Sequence, residues 1–325
     1  MHKGNPITDV VSPTRSNHHH YQQLDQIIET ISKVLLGKEH QVRLAMTCLL
    51  ARGHLLIEDL PGMGKTLLAH TLAQVLGLNF NRLQFTSDLL PSDVVGVSIF
   101  DKSTASFRFM PGPIFTEVLL ADEINRATPK SQSALLEAME EHQVTVDSET
   151  MSLPEPFFVI ATQNPASQMG TYPLPESQLD RFFMRIHIGY PEPEAERLLL
   201  ERGDQRNVLK TIKPLLSTQE LVKLQNEVEQ VRASTSLIDY VQRLIQFSRN
   251  QNEFAYGLSP RGALALLNSA RAWAMLQHRD HVIPEDIQAV LPSVVEHRLR
   301  ASADHTGHGS VALAQKLLAN VDVLA

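Results

Sequence analysis

Three short segments carry residue types that could act on a phosphate ester. The first is Leu55-Leu56-Ile57-Glu58-Asp59-Leu60-Pro61-Gly62-Met63-Gly64-Lys65-Thr66, an apolar run that breaks into a Gly-containing turn and then opens a helix. Amides from about Gly62 to Thr66 can converge on an anion at the positive end of that helix. Gly62 and Gly64 allow the backbone to approach where a Cβ would block it. Lys65 offers a point charge to β- and γ-phosphates, and Thr66 a hydroxyl to Mg²⁺. The strict pattern asks for Gly at its first position, where this chain has Asp59. The binding set is therefore Gly62, Met63, Gly64, Lys65, Thr66 and Leu67, with Asp122 from the second segment.

That second segment, Val118-Leu119-Leu120-Ala121-Asp122-Glu123, is an apolar run delivering two acids. Asp122 would orient Mg²⁺ through water, so that Thr66 and Asp122 form the metal set, and Glu123 would polarise an attacking water. The third segment, Phe157-Phe158-Val159-Ile160-Ala161-Thr162-Gln163-Asn164-Pro165, ends an apolar run in a polar amide. Asn164 either bonds a γ-phosphate or the lytic water, or simply starts an Asn-Pro turn.

The elements needed to position these groups are legible in the apolar periodicity. Leu24–Leu35 and Gln41–Arg52 have helical spacing, as do Lys65–Leu76 and Lys130–Glu141. Buried-strand patterns occur at His54–Glu58, Arg82–Phe85, Glu117–Ala121, Phe157–Ala161 and Phe183–Ile188. Strands alternating with helices predict a parallel α/β sheet, and ligands of such sheets bind at the carboxyl ends of the strands. Paired short strands flank Asp101-Lys102-Ser103-Thr104-Ala105 and Asp147-Ser148-Glu149, as in hairpins. After Pro191 the pattern becomes helical, at Glu194–Arg202, Gln219–Val231, Ser236–Arg249, Pro260–His278 and Pro284–Ala301. Ser217 and Ser259 suit N-caps. The expected organisation is a loose tail at 1–20, an α/β core at 21–190 and an all-α unit at 191–325.

Composition narrows the setting. The chain has 325 residues, 43% hydrophobic and 20% charged, with a formal net charge of -7. No apolar run approaches the ~18–20 residues of a membrane span, and the N-terminus lacks a secretory apolar core. One cysteine, Cys48, excludes an internal disulfide or a CxxC site, so the cytoplasm is the expected compartment. His18, His19 and His20 lack Cys, Asp or Glu at ligand spacing and read as a surface cluster. The acidic balance gives no global field for nucleic acid.

Together the motifs resemble those of AAA+ ATPases, and within them the MoxR family. The resemblance runs from about Leu35 to Leu299. It rests on Gly62–Thr66, Leu120–Ala127 (LADEINRA), Gln132–Glu141 (QSALLEAMEE), Ala161–Pro165 (ATQNP), Gly170–Phe182 (GTYPLPESQLDRF) and Gly257–Ala274. It implies a P-loop αβα sandwich with a parallel sheet, followed by a helical lid. The loop at 62–66 then corresponds to a Walker A motif, the acids to Walker B and Asn164 to sensor 1. Arg181 corresponds to an arginine finger reaching a neighbouring subunit, and Arg261 to a sensor 2 acting in its own subunit or across the interface. Guanidinium groups suit that work because they stabilise charge spread over transferring phosphoryl oxygens. Val34–Gly37 resembles the segment that borders adenine. The two hairpins match inserts that face a central pore or a client. The implied activity is Mg²⁺-dependent ATP hydrolysis by a ring, a hexamer, that remodels a protein partner. That partner would carry a von Willebrand factor A domain or be a metal-cofactor enzyme under maturation. The alternatives are a DNA-directed motor, against which the acidic tip at Asp147-Ser148-Glu149 weighs, and the ATPase subunit of a metal chelatase.

Overall fold

The computed structural model describes residues 15–165, 170–203, 206–302 and 310–323. The first half runs α1 (Arg15–Val34), α2 (Glu39–Leu50), β1 (Leu55–Glu58), α3 (Lys65–Val75), β2 (Phe80–Gln84), α4 (Pro91–Val95), β3 (Gly96–Asp101), β4 (Ser106–Pro111), β5 (Val118–Asp122), α5 (Pro129–Glu141), β6 (Gln143–Val146), β7 (Glu149–Ser152) and β8 (Phe158–Gln163). It continues with α6 (Glu176–Leu179), β9 (Met184–Ile186), α7 (Pro193–Arg202), α8 (Arg206–Leu209), α9 (Thr218–Gln230), α10 (Thr235–Asn250), β10 (Phe254–Tyr256), α11 (Pro260–Leu276), α12 (Pro284–Val295), β11 (Arg300–Ala301) and α13 (Ser310–Asn320).

The central sheet has the order β2-β5-β8-β1-β9, and all its pairings are parallel. Successive strand residues point to opposite faces, and the core divides accordingly. Leu55, Ile57, Val118, Leu120, Phe158 and Ile160 join the cluster on one face. Leu56, Leu119, Ala121, Val159 and Ala161 join the cluster on the other, against Leu135, Leu136 and Met139 of α5. Covering both faces explains why the central strands read as unbroken apolar runs.

The larger cluster does not stop at Pro191. It continues from α1, α2 and α3 into Leu221 and Leu224 of α9, Leu266 and Ala270 of α11, and Val290 and Val294 of α12. The Gln225 amide donates to Leu49 O at 2.8 Å, joining α9 to α2. The second unit is also not wholly helical: β10 and β11 form an antiparallel pair, and the helix expected to run to Ala301 ends at Val295. At the other end, α1 begins at Arg15 rather than after residue 20, and His20 Nδ1 lies 3.0 Å from the Glu227 carboxylate. Residues 1–14 of the expected tail lie outside the described residues.

Helix starts follow the side-chain chemistry. Ser217 and Glu220 form a reciprocal capping box, and Ser259 Oγ accepts from Gly262 N at 3.0 Å. Both hairpins form as β3–β4 and β6–β7. The second turns on Asp147 and Ser148 alone, both at positive φ, and Glu149 pairs with Val146 inside the strands. Among the described residues no helix is long and apolar enough to cross a membrane.

Candidate nucleotide site

The carboxyl ends of β1, β5 and β8 open onto a cleft of about 1030 Å³. Gly62, Gly64, Lys65, Thr66, Leu67, Asp122, Glu123 and Asn164 all line it. Gly64 caps α3 at φ 93°, and Gly62 has φ 86°, conformations that favour glycine. A Cβ on either would meet nothing within 4 Å, so each faces open space rather than protein. Met63, between them, is not part of the lining and packs its side chain against the main core. The Lys65 ammonium donates to Leu60 O at 2.9 Å and to Asp59 O. Burial lowers its pKa, and the carboxylates of Asp59, Asp122 and Glu123 oppose that shift.

Asp59, where the motif departs from glycine, has a visible task. Its Oδ1 accepts from Leu60 N at 2.9 Å and its Oδ2 from Gly189 N at 2.6 Å. The carboxylate thereby fastens the phosphate loop to the chain leaving β9.

The two acids of β5 are held by neighbours that motif reading missed. Thr162, fully buried on β8, donates to Asp122 Oδ1 at 2.6 Å and accepts from Glu123 N at 2.8 Å. Arg82 on β2 donates to Asp122 Oδ2 through Nη2 at 2.6 Å and Nε at 3.2 Å. Glu123 adopts φ 56°, a left-handed conformation uncommon for a residue with a side chain. Its Oε2 accepts from Gln84 Nε2 at 3.0 Å and from Arg126 Nη1 at 2.8 Å. The only sequence signal for Thr162 is a polar residue one step beyond an apolar strand run. Arg82 had none, because its partner lies on the adjacent strand.

The far end of the cleft is lined by His70 and Gln74 of α3, Leu199 of α7, and Leu209 and Lys210 at the end of α8. Val34–Gly37 is not part of this lining: Val34 and Leu35 are buried in the core, and Gly37 abuts Ala195. Their apolar side chains continue the α1 stripe, so packing takes them away from solvent. A smaller hollow of about 380 Å³ lies at the amino ends of the strands, beside Gly53, His142 and Phe157, and holds none of the phosphate-loop residues.

Arg181 and Arg261 do not line the cleft. They meet elsewhere, on one carboxylate: Arg181 Nη2 lies 3.1 Å from Glu140 Oε2, and Arg261 Nη2 bonds Glu140 Oε1. Arg181 follows Asp180, whose carboxylate accepts from Arg298 Nε at 2.7 Å and from Ser259 Oγ. The Arg298 side chain is 3% exposed and also donates to Phe182 O and Phe183 O. Burial lowers its pKa, opposed by Asp180.

Comparison with known proteins agrees with this geometry. Residues 54–184 match the ATPase family associated with various cellular activities (AAA), and residues 246–317 match the AAA lid domain. Chaperone MoxR1 of Mycobacterium tuberculosis is 40% identical over 290 residues, covering 86% of this chain and 76% of that protein. The chain belongs to the MoxR family of AAA+ ATPases. Another relative, YeaC of Bacillus subtilis, is 46% identical over 302 residues, 92% of this MoxR-family chain and 94% of its own length. A crystal structure from Cytophaga hutchinsonii superposes with a TM-score of 0.86 at 36% identity, covering 94% and 96% of the two chains. The MoxR-family chain is thus an ATP-hydrolysing enzyme with an αβα core and a lid.

Proposed function

We propose that this MoxR-family enzyme hydrolyses Mg²⁺-ATP in a ring of subunits, a hexamer, and uses the cycle to remodel a protein client. The observation that carries the reading is the separation of two half-sites. Lys65, Thr66, Asp122, Glu123 and Asn164 stand around the cleft, while Arg181 and Arg261 stand together outside it. A half-site with arginines that solvent can reach and a half-site with the phosphate loop are completed when subunits meet. On this reading both Arg181 and Arg261 serve the neighbour's nucleotide.

Oxygen donors suit Mg²⁺: the Thr66 hydroxyl would supply one directly and Asp122, whose two oxygens already accept from Thr162 and Arg82, would act through water, beside a loop whose glycines leave room for phosphates. When bound, the ion neutralises charge developing on the phosphoryl oxygens. The remaining work falls to the chain. Loop amides and Lys65 bind the β- and γ-phosphates. Asn164 orients water, and Glu123 accepts its proton once Gln84 and Arg126 no longer hold the carboxylate.

A protein client fits the exposed surface better than DNA. The β3–β4 hairpin exposes Val97, Ile99, Phe100 and Met110, with Phe107 75% exposed, and the β6–β7 turn is acidic. The first hairpin exposes two cations, Lys102 and Arg108, beside Asp101, and the second turn none, short of the several phosphate contacts a DNA track makes. A partner carrying a von Willebrand factor A domain, or a metal enzyme in maturation, is the client class proposed. The test is a pair of variants. Lys65→Ala should abolish ATP binding, whereas Glu123→Gln should bind ATP and lose hydrolysis while retaining the client in a pulldown. Equal loss of binding in both would overturn the role given to Glu123.

A further inference from the structure

Three chain segments far apart in sequence converge on Glu140. The residue lies at the end of α5, Arg181 lies on the turn after α6, and Arg261 lies in the first turn of α11. Each carboxylate oxygen receives one guanidinium, Oε2 from Arg181 and Oε1 from Arg261. The side chains of Glu140, Arg181 and Arg261 are 34%, 28% and 44% exposed, too open for a buried structural pair and open enough for a further anion to reach. Two guanidinium groups brought this close repel each other, and a single carboxylate with two oxygens is the group that holds both. The cluster keeps a net charge of one positive, and each arginine retains N–H donors beyond the one spent on Glu140.

The stems are anchored as firmly as the heads. Asp180, adjacent to Arg181, binds Arg298 and accepts from Ser259 Oγ at 3.0 Å. Ser259 in turn caps the helix that carries Arg261. The two backbones are therefore joined through Asp180 and Ser259, and the two side chains through Glu140.

We propose that Glu140 is a positioning residue that yokes Arg181 and Arg261 into one preorganised cationic unit for the neighbouring subunit's nucleotide. This rests on the reading that both arginines act across a subunit interface. Its carboxylate stands outside the residues that line the nucleotide cleft and acts through the arginines. Loss of the yoke leaves both arginines present but splayed by mutual repulsion. A misplacement of about an ångström can cost up to ~10²-fold in rate.

The test is steady-state ATP hydrolysis by the assembled full chain, with assembly and thermal stability measured beside it. Glu140→Ala should lower kcat at least tenfold and leave the KM for ATP within threefold. Glu140→Gln, which keeps one acceptor oxygen, should fall between it and the wild type, and it carries the test if the alanine variant does not fold. Combining Glu140→Ala with Arg181→Ala should cost no more than Arg181→Ala alone, within twofold. Mixing Glu140→Ala subunits with Lys65→Ala subunits should restore activity, since intact halves then face each other. Near wild-type kcat in Glu140→Ala, with both arginine variants inactive, overturns the inference. So does kcat above wild type, which would make the carboxylate a restraint, or a multiplicative loss in the double variant. Near wild-type turnover in both Arg181→Ala and Arg261→Ala instead removes the reading beneath it, and the inference with it.

Discussion

Acidification should destabilise this protein through His54, and the size of the effect follows from its contacts. His54 is 5% exposed, directly ahead of β1. Its Nδ1 accepts from Val159 N at 3.0 Å, so the ring proton sits on Nε2, which donates to Met139 O at 3.2 Å. The neutral ring thus ties β8 and α5 to the root of the phosphate loop, and a second proton has no acceptor. Burial lowers the pKa from 6.5 to about 4, with a smaller push from His142 and an opposing one from the Met139 carbonyl. In the window between these values the unfolded chain binds the extra proton and the folded chain does not. Stability is therefore complete above pH 6.5 and falls as pH drops toward 4. Integrating between pH 7 and pH 5 gives a loss of about 2 kcal/mol from this residue. Burial also lowers the pKa of His297, which adds in the same sense. His187 is raised, first by its bond to Glu296, and opposes them. Asp280 and Glu220 are lowered by their hydrogen bonds, and their contribution is lost mainly below pH 5. His54→Gln removes one titration and leaves the others. The assay is urea unfolding at pH 7 and pH 5, followed by fluorescence of the single tryptophan, Trp273. The variant is less stable at pH 7 but should lose about 2 kcal/mol less than the wild type on acidification. Equal losses in the two proteins would refute the neutral, buried assignment.

The remaining predictions concern the nucleotide cycle. Arg181→Ala should reduce turnover by ~10³-fold or more while leaving nucleotide affinity within about tenfold, and mixing it with Lys65→Ala should recover activity. Mixed rings that form without recovery, together with near wild-type turnover of Arg181→Ala alone, would make Arg181 a structural ion-pair residue. Asp59→Ala removes two charge-assisted bonds from Leu60 N and Gly189 N. It should cost about 1.5–3 kcal/mol of stability and weaken ATP binding, read by calorimetry. Turnover should change less than about twofold with single- or double-stranded DNA at ~150 mM salt, and a steep salt-dependent stimulation would favour a DNA motor.

What could be read from sequence is what the chain keeps contiguous. Gly62, Gly64, Lys65 and Thr66 follow β1, Asp122 and Glu123 end β5, and Asn164 follows β8, so apolar periodicity located the strands and, with them, the residues that stand at their ends around the cleft. The hairpins and the Ser217 and Ser259 caps were legible for the same reason: their determinants lie within a few residues. The local pattern was silent on partners supplied by other segments. Thr162 and Arg82 each reach Asp122 across 40 residues, placed there by the strand order. The closure of the cleft by α7 and α8 depends on how the second unit packs. Arg181 and Arg261 could be recognised as arginines of interest, yet only the folded chain brought them to Glu140, 121 residues before Arg261. Periodicity specifies which face of an element is buried. Which elements become neighbours is decided by the packing of those faces into one core, and the charged contacts follow from that packing.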